Sequence, residues 1–258
     1  MSIIVLKYQE NFADNLSELA YAKIIESKTN RQFFLENDIT SRKKFEYKMS
    51  NFNMDFRYIS TNQVQSVTEK SYLFTRKLIT TDKISKEIGK IKSPDKLVDI
   101  TRFKIDDIGL ITDAVKEGFR FKNTDFIVNF DILDDIKSTN SIGLYVNKND
   151  LDDINVNYIK NAVKRLNKYL KKPILYIFSN SKDIPFADDL DINLKKLYLI
   201  DWREEFYLYT QCRNKIILSN KSSYSEGFWG TILNERGYLT AFESGLKVKN
   251  APENWIQI

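Results

Sequence analysis

Apolar positions along this chain alternate between short solid runs and longer stretches of helical spacing. Ile3-Ile4-Val5-Leu6 is a solid run and reads as a strand of a central sheet. Residues 7–13 form a loop. Over 14–27 the apolar positions Leu16, Leu19, Ala20 and Ile24 recur at helical spacing, with Asp14 placed to cap the helix. Residues 31–35 are a second short strand. The chain therefore opens β-α-β, the usual start of a parallel sheet with a right-handed crossover.

Residues 40–130 carry a weaker pattern, rich in Lys, Asn, Ser, Thr and Asp, in which only 86–91 and 108–116 read as helices. From 131 the alternation is firm again. Residues 131–139 read as a helix and 142–146 as a strand. Residues 155–170 form an amphipathic helix with Tyr158, Ala162, Val163, Leu166 and Leu170 on one face, stopped by Pro173. Residues 174–178 and 196–200 are strands, 203–213 a helix, and 215–218 a strand without alternation, as expected where both faces are covered. A polar turn, 219–225, leads into a last helix. The order from Ile142 onward, β-α-β-α-β-α-β-α, is that of a doubly wound parallel sheet.

Composition narrows the chemistry. A net charge of +5 with a sequence pI near 8.9 is mildly basic. The charges read as interspersed, so no nucleic-acid-binding stripe is expected; phosphorylated ligands or an anionic membrane surface suit this balance. One cysteine, Cys212, excludes an intramolecular disulfide. The absence of histidine removes Ser-His-Asp and Cys-His catalysis and every histidine-based zinc site. A carboxylate-bound Mg²⁺ stays open, although Asp152-Asp153 and Asp189 with Asp191 read as solvated surface. The start, MSIIVLKYQEN, has no signal-peptide pattern, and no run approaches ~18 apolar residues. A cytoplasmic protein is expected, touching the membrane at most from its inner face.

The richest chemistry lies at 205–234. The turn Ser219-Asn220-Lys221-Ser222-Ser223-Tyr224-Ser225 follows a strand and precedes a helix. Unpaired N–H groups and the helix dipole make such a place an anion seat, and ligands of open α/β sheets sit at the carboxyl ends of strands. A helix cap with nothing bound is the plainer reading of the same serines.

The order of residues here resembles the end of the bacterial α-1,2-fucosyltransferases, glycosyltransferase family 11. Cys212, Ile216-Ile217, Ser222-Ser223-Tyr224-Ser225, Trp229-Gly230 and Leu233-Asn234 follow in the family's order, with Lys221 inserted before the serines and about two residues added after them. The resemblance recurs. Ser179-Asn180-Ser181-Lys182-Asp183-Ile184 is similar to the family's Ser-Asp-Asp-Ile, and Ala251-Pro252 with Trp255 to its terminus. Where the family has His-x-Arg-Arg-Gly-Asp, this chain has Tyr145, Asn147, Lys148, Asn149 and Asp150. Where the family has a glycine loop and helix, it has Glu10, Asn11, Phe12, Ala13, Asp14, Asn15 and Leu16, then Ala20, Tyr21, Ala22 and Lys23. The helix face is kept and the three glycines are replaced.

This resemblance implies a GT-B arrangement, an α/β fold of two Rossmann-like domains facing across a cleft. It implies an acceptor-side domain over 1–138 and a donor domain over 139–258. The implied reaction is inverting and metal-independent, with GDP-fucose as donor, a glycan hydroxyl as acceptor and no cofactor. Donor contacts fall on Asp14, Asn15, Tyr145, Glu205, Ser222, Ser223 and Ser225, and the reacting centre on Asn147, Lys148 and Asp150. Asparagine carries no charge to replace an arginine fork, while Lys148 keeps one as a point charge. For Asp14 and Asn15 capping is the alternative, and for Glu205 an exposed helix position. Trp229, on an apolar helix face, is expected in the core. Two readings stand: a divergent transferase, or a transferase-like fold that binds a glycan or partner without turnover.

Overall fold

A computed structural model of the chain describes residues 3–6, 12–28, 32–36, 49–59, 108–111, 113–199, 201–234, 236–246 and 248–258. Two compact units divide the chain: residues 1–123 with 248–250, and residues 124–247 with 251–258. Each is built on its own sheet, and both sheets are parallel throughout. The α/β class that the alternation predicts is therefore the class found.

In the first unit, β1 (Ile3–Leu6) pairs parallel with β2 (Gln32–Glu36), and β2 with β3 (Tyr58–Ile59). Helix α1 (Phe12–Lys28) connects β1 to β2, burying Leu16, Leu19, Ala20, Tyr21, Ala22 and Ile24. It begins two residues earlier than the periodicity predicts, so Asp14 lies inside its first turn and is not its cap. A carboxylate suits either place, since the positive end of the helix dipole favours both. The helix expected over 108–116 is a 3-10 turn at Ile108–Leu110 followed by α2 (Asp113–Gly118). That expected over 86–91 lies outside the described residues. At 248–250 the chain returns to this unit, where the Ile108 N–H donates to the Lys249 carbonyl at 3.2 Å.

The second unit opens with α3 (Phe130–Ser138), a helix that a division at 138 places in the first domain. Leu133 and Ile136 pack among Tyr176, Phe178 and Leu208, all belonging to the second unit. The sheet then follows in chain order: β4 (Ser141–Val146), β5 (Ile174–Ser179), β6 (Asn193–Leu197), β7 (Asn214–Ile217), β8 (Thr240–Phe242) and β9 (Trp255–Gln257). Its spatial order is β6-β5-β4-β7-β8-β9. The strand expected over 196–200 lies three residues earlier, because pairing with β5 sets Asn193 opposite Ile174 and Leu197 opposite Phe178. As an edge strand carrying exposed Lys195 and Lys196, β6 lacks the apolar run that marks a central strand. Strands β8 and β9, three residues each, are too short to carry a period and were not anticipated.

Alternation along the strands sorts the core into two layers. Ile142, Leu144, Leu175, Ile177 and Ile216 face helix α4 (Val156–Asn167) through Ile159, Ala162, Val163 and Leu166. Tyr145, Tyr176 and Phe178 face the other way, toward α3 and α5 (Trp202–Gln211). Helix α6 (Lys221–Ile232) packs beside α5 on that second side, with Trp229 wholly buried as the apolar face predicts. Lys215, on β7, is wholly buried. Its ammonium donates to the Cys212 and Thr210 carbonyls at the end of α5 and lies 5.1 Å from the Tyr209 ring centroid. It thus satisfies carbonyls that a helix end leaves open, while burial pushes its amine down to about 8.

Tyr209 fills the space between α5, β4 and α6. A Cβ added to Gly143 would stand 3.0 Å from its ring, and one added to Gly230 would overlap the ring. A glycine at 230 thus lets α6 approach α5. We expect Gly230→Ala to lose about 1–3 kcal/mol of stability in urea unfolding, because the ring cannot withdraw without opening the core. Gly245→Ala, where an added Cβ meets nothing within 4 Å, should stay within about 0.5 kcal/mol of the parent. Equal losses at the two positions would show that the ring does not set the helix spacing.

Candidate functional site

The second sheet is wound outward from β4 to β6 and then restarts at β7 on the other side of β4. Loops leaving β4 and β7 therefore diverge, and the crevice at their carboxyl ends is where open α/β sheets take ligands. Every predicted site residue from Tyr145 onward falls at or beneath this reversal.

Above β4 the chain makes a 3-10 turn, Lys148–Asp153, that packs against α6. Asn147 caps it, its side-chain oxygen accepting from the Asn149 N–H at 3.0 Å. Lys148 is exposed, and its backbone N–H donates to Asn180 Oδ1 at 2.7 Å, tying this turn to the end of β5. Asp150 is buried. Beyond β7, Ser219 donates to Glu243, which also accepts from Asn155 Nδ2 at 2.7 Å. The turns after β4, β7 and β8 are thereby cross-linked through one carboxylate.

Helix α6 starts at Lys221, so Ser222, Ser223 and Ser225 lie within its first turns and do not form a turn before it. Their backbone N–H groups, with the positive end of the helix dipole, sit directly beyond β7. Their side chains lie outside the described residues. Asn220, in the cap position, gives no side-chain cap hydrogen bond; its amide donates instead to the Asp153 carbonyl at 2.9 Å. Asn220 thus braces the neighbouring turn through its amide nitrogen, while its oxygen gives no cap to the helix.

Beneath the reversal lies a buried acidic layer. Glu205, in the first turn of α5, is 4% exposed, and its Oε1 has no hydrogen-bond partner among the described residues. Burial alone pushes its carboxyl up to about 7. The alternative of an exposed helix acid is thus overturned, and Glu204 beside it is buried too. Glu204 accepts from the Val128 and Asn129 N–H groups, both at 2.7 Å, and from Asn129 Nδ2 at 2.9 Å, fastening the approach to α3 onto α5. Glu226, on α6, is a further buried carboxylate. Tyr145 stands near both. Its phenol is held well above its ordinary range by burial first, then by the charges of Glu205 and Glu226. Its ring meets that of Tyr209 edge-on, 5.8 Å between centroids.

The structure therefore gathers Tyr145, Asn147, Lys148, Asp150, Glu205 and the start of α6 in one unit. Asp14 and Asn15 stand on α1 of the first unit, where Asn15 is buried. Glu226 escapes sequence reasoning for a physical reason. Three residues after Ser223, it has the spacing of a capping box, but the helix has already begun at Lys221. Asp152, Asp153, Asp189 and Asp191 are exposed, as expected for solvated surface. Among the described residues no group of three or more carboxylates or thiols is placed to hold a metal ion, and no helix is long and apolar enough to cross a membrane.

No protein-family model matches the sequence, and no curated protein matches it either. Solved structures of similar fold are found. The fucosyltransferase NodZ from Bradyrhizobium is 10% identical, covering 90% of this chain and 92% of that one, with a TM-score of 0.49. A family 9 glycosyl transferase from Veillonella parvula is 11% identical over 100% of this chain and 86% of its own, with a TM-score of 0.47. The ADP-heptose lipopolysaccharide heptosyltransferase II of E. coli is 10% identical over 100% and 90%, with a TM-score of 0.44. These similarities concern fold.

The buried Glu205 makes stability depend on pH. Its ordinary value of 4.5 rises to about 7 on folding, so the folded chain holds this proton more tightly than the unfolded one. No cost arises below about pH 4.5, where both forms are protonated. Stability falls as the pH rises from there to about 7, and the full cost, about 3 kcal/mol, persists above. We expect Glu205→Gln to match the parent near pH 4 and to exceed it near pH 8 in urea unfolding. A pH-independent difference between the two proteins would refute this assignment.

Proposed function

We propose that this chain is a glycosyltransferase that binds a nucleotide sugar at the carboxyl end of its second sheet and passes the sugar to a glycan hydroxyl. The observation that carries this reading is the site at the β4–β7 reversal. There the start of α6, which the Asn220 side chain does not cap, and the exposed Lys148 offer positive ends to a diphosphate, above a buried carboxyl whose Oε1 has no partner among the described residues. Glu205 accepts paired N–H groups of a base, or ribose hydroxyls, at that unused oxygen. Ser222, Ser223 and Ser225 hold phosphate oxygens through the first turns of α6. Lys148 stabilises the departing nucleotide.

The resemblance to family 11 adds the finer terms: fucose from GDP-fucose, inversion at the sugar carbon, no metal, and a place in surface polysaccharide or O-antigen synthesis. In that reaction a bond forms from the acceptor oxygen to the sugar carbon as the bond from that carbon to the phosphate oxygen breaks. The hydroxyl proton passes to the departing phosphate or to Asp150. Tyr145 and Asn147 line the donor.

One observation favours a second reading, a binding module without turnover. Asn147, in the place of the family's first arginine, spends its side-chain oxygen on its own turn and brings no charge.

Thermal unfolding against GDP, UDP, CMP and their common sugars separates the readings, since a ligand that binds only the folded chain raises the midpoint. We expect a selective rise with GDP or GDP-fucose. Lys148→Ala should weaken that binding about tenfold while leaving the unliganded midpoint unchanged, because Lys148 is exposed. Nucleotide binding without transfer or hydrolysis of any donor selects the binding module. No shift with any nucleotide at high concentration overturns the donor site.

A further inference from the structure

The chain's excess of positive charge is concentrated on one helix. Residues 155–173 contain Lys160, Lys164, Arg165, Lys168, Lys171 and Lys172, and no acidic residue. Removing these six from the chain's 40 basic side chains leaves 34 against 35 acidic ones, so the rest of the molecule is net −1. All six are exposed, on the outer face of α4 and the turn that follows it. Lys160, Lys164 and Lys168 stand four apart and form one row along the helix.

Elsewhere on this unit, three basic side chains pair with acids. Lys195 meets Asp135 at 2.5 Å, Lys196 meets Asp188 at 2.8 Å, and Arg203 meets Asp201. Among the described residues none of the six on α4 lies within ion-pair distance of a carboxylate. A row of like charges at this spacing weakens a helix, and this one is held by its buried face of Tyr158, Ile159, Ala162, Val163 and Leu166. At the end of the row, Tyr169 is 56% exposed, with the Arg165 guanidinium 5.6 Å from its ring centroid.

We propose that the outer face of α4 is an interaction surface for an anionic lipid bilayer. A rigid helix lying along the protein surface presents its cations in one layer, roughly 12 Å long from Lys160 to Lys168, which a sheet of headgroup charge matches without base-specific geometry. The exposed phenol beside it has the amphipathic character of groups that settle at headgroup level. A nucleic-acid strand is matched less well. The face is convex, and its one aromatic ring already carries a guanidinium. The assignment stands independently of the transferase reading.

Co-sedimentation of the whole protein with vesicles tests it. We expect binding to phosphatidylcholine vesicles containing about 40 mol% phosphatidylglycerol, none to phosphatidylcholine alone, and release by about 0.5 M NaCl. Lys164→Glu with Lys168→Glu should weaken binding at least about tenfold. Lys122→Glu with Lys182→Glu, an equal charge change at exposed positions elsewhere, should weaken it by no more than about threefold. Thermal midpoints of both variants should match the parent, so that lost binding is not lost folding. Equal weakening by the two pairs would overturn the proposal, as would no binding to anionic vesicles. Tighter binding of a single-stranded RNA oligonucleotide through the same lysines would also overturn it.

Discussion

The second unit is organised around the ring of Tyr209. It is wholly buried and touches each layer that must close. Gly143 of β4 and Gly230 of α6 lie against its two sides, Phe178 and Tyr145 meet it edge-on, and Lys215 lies over it. Its hydroxyl donates to the Gly227 carbonyl at 3.3 Å. One large ring thus sets the distance between the sheet and two helices, and glycines appear where a Cβ would meet it. Interiors packed to crystal-like density leave no slack for another solution.

That packing decides where chemistry can occur. Both faces of the sheet are covered, and β6 and β9 form its edges, so the carboxyl end of the central strands is what remains. There polar groups are divided between two tasks. Asn220, Asn147 and Glu243 brace the turns against one another, while Lys148 and the first turn of α6 point their positive charge outward. Glu205 and Glu226 are taken out of water beneath them. Burying Glu205 with one oxygen unpartnered among the described residues is costly, and the apolar and aromatic packing around α5 offsets that cost.

Charge is handled differently on the two sides of this sheet. Lys195 and Lys196 on β6 and Arg203 at the start of α5 are matched with acids at close range. On the outside of α4 they are not, and the helix holds its shape through its buried face alone. A mild net charge spread over the whole composition therefore conceals one face that is strongly basic.

The sequence by itself determined the alternation of strands and helices, because those patterns are local. A solid apolar run marks a strand covered on both faces, and returns at three and four residues mark a helix laid on a sheet. It therefore determined the parallel α/β class, the amphipathic face of α4 and the burial of Trp229. Only the tertiary structure decided what depends on residues distant in the chain. Pairing with β5 set β6 three residues earlier, and β7 and β8 gave partners to strands too short to show a period. Glu205 was legible as an acid but not as a buried one, since burial is decided by how separate elements pack and not by neighbouring residues. Helix α6 starts at Lys221, ahead of the serines that local composition places in a turn. Local periodicity is written in neighbouring residues; burial, register and charge environment arise only when separate elements meet.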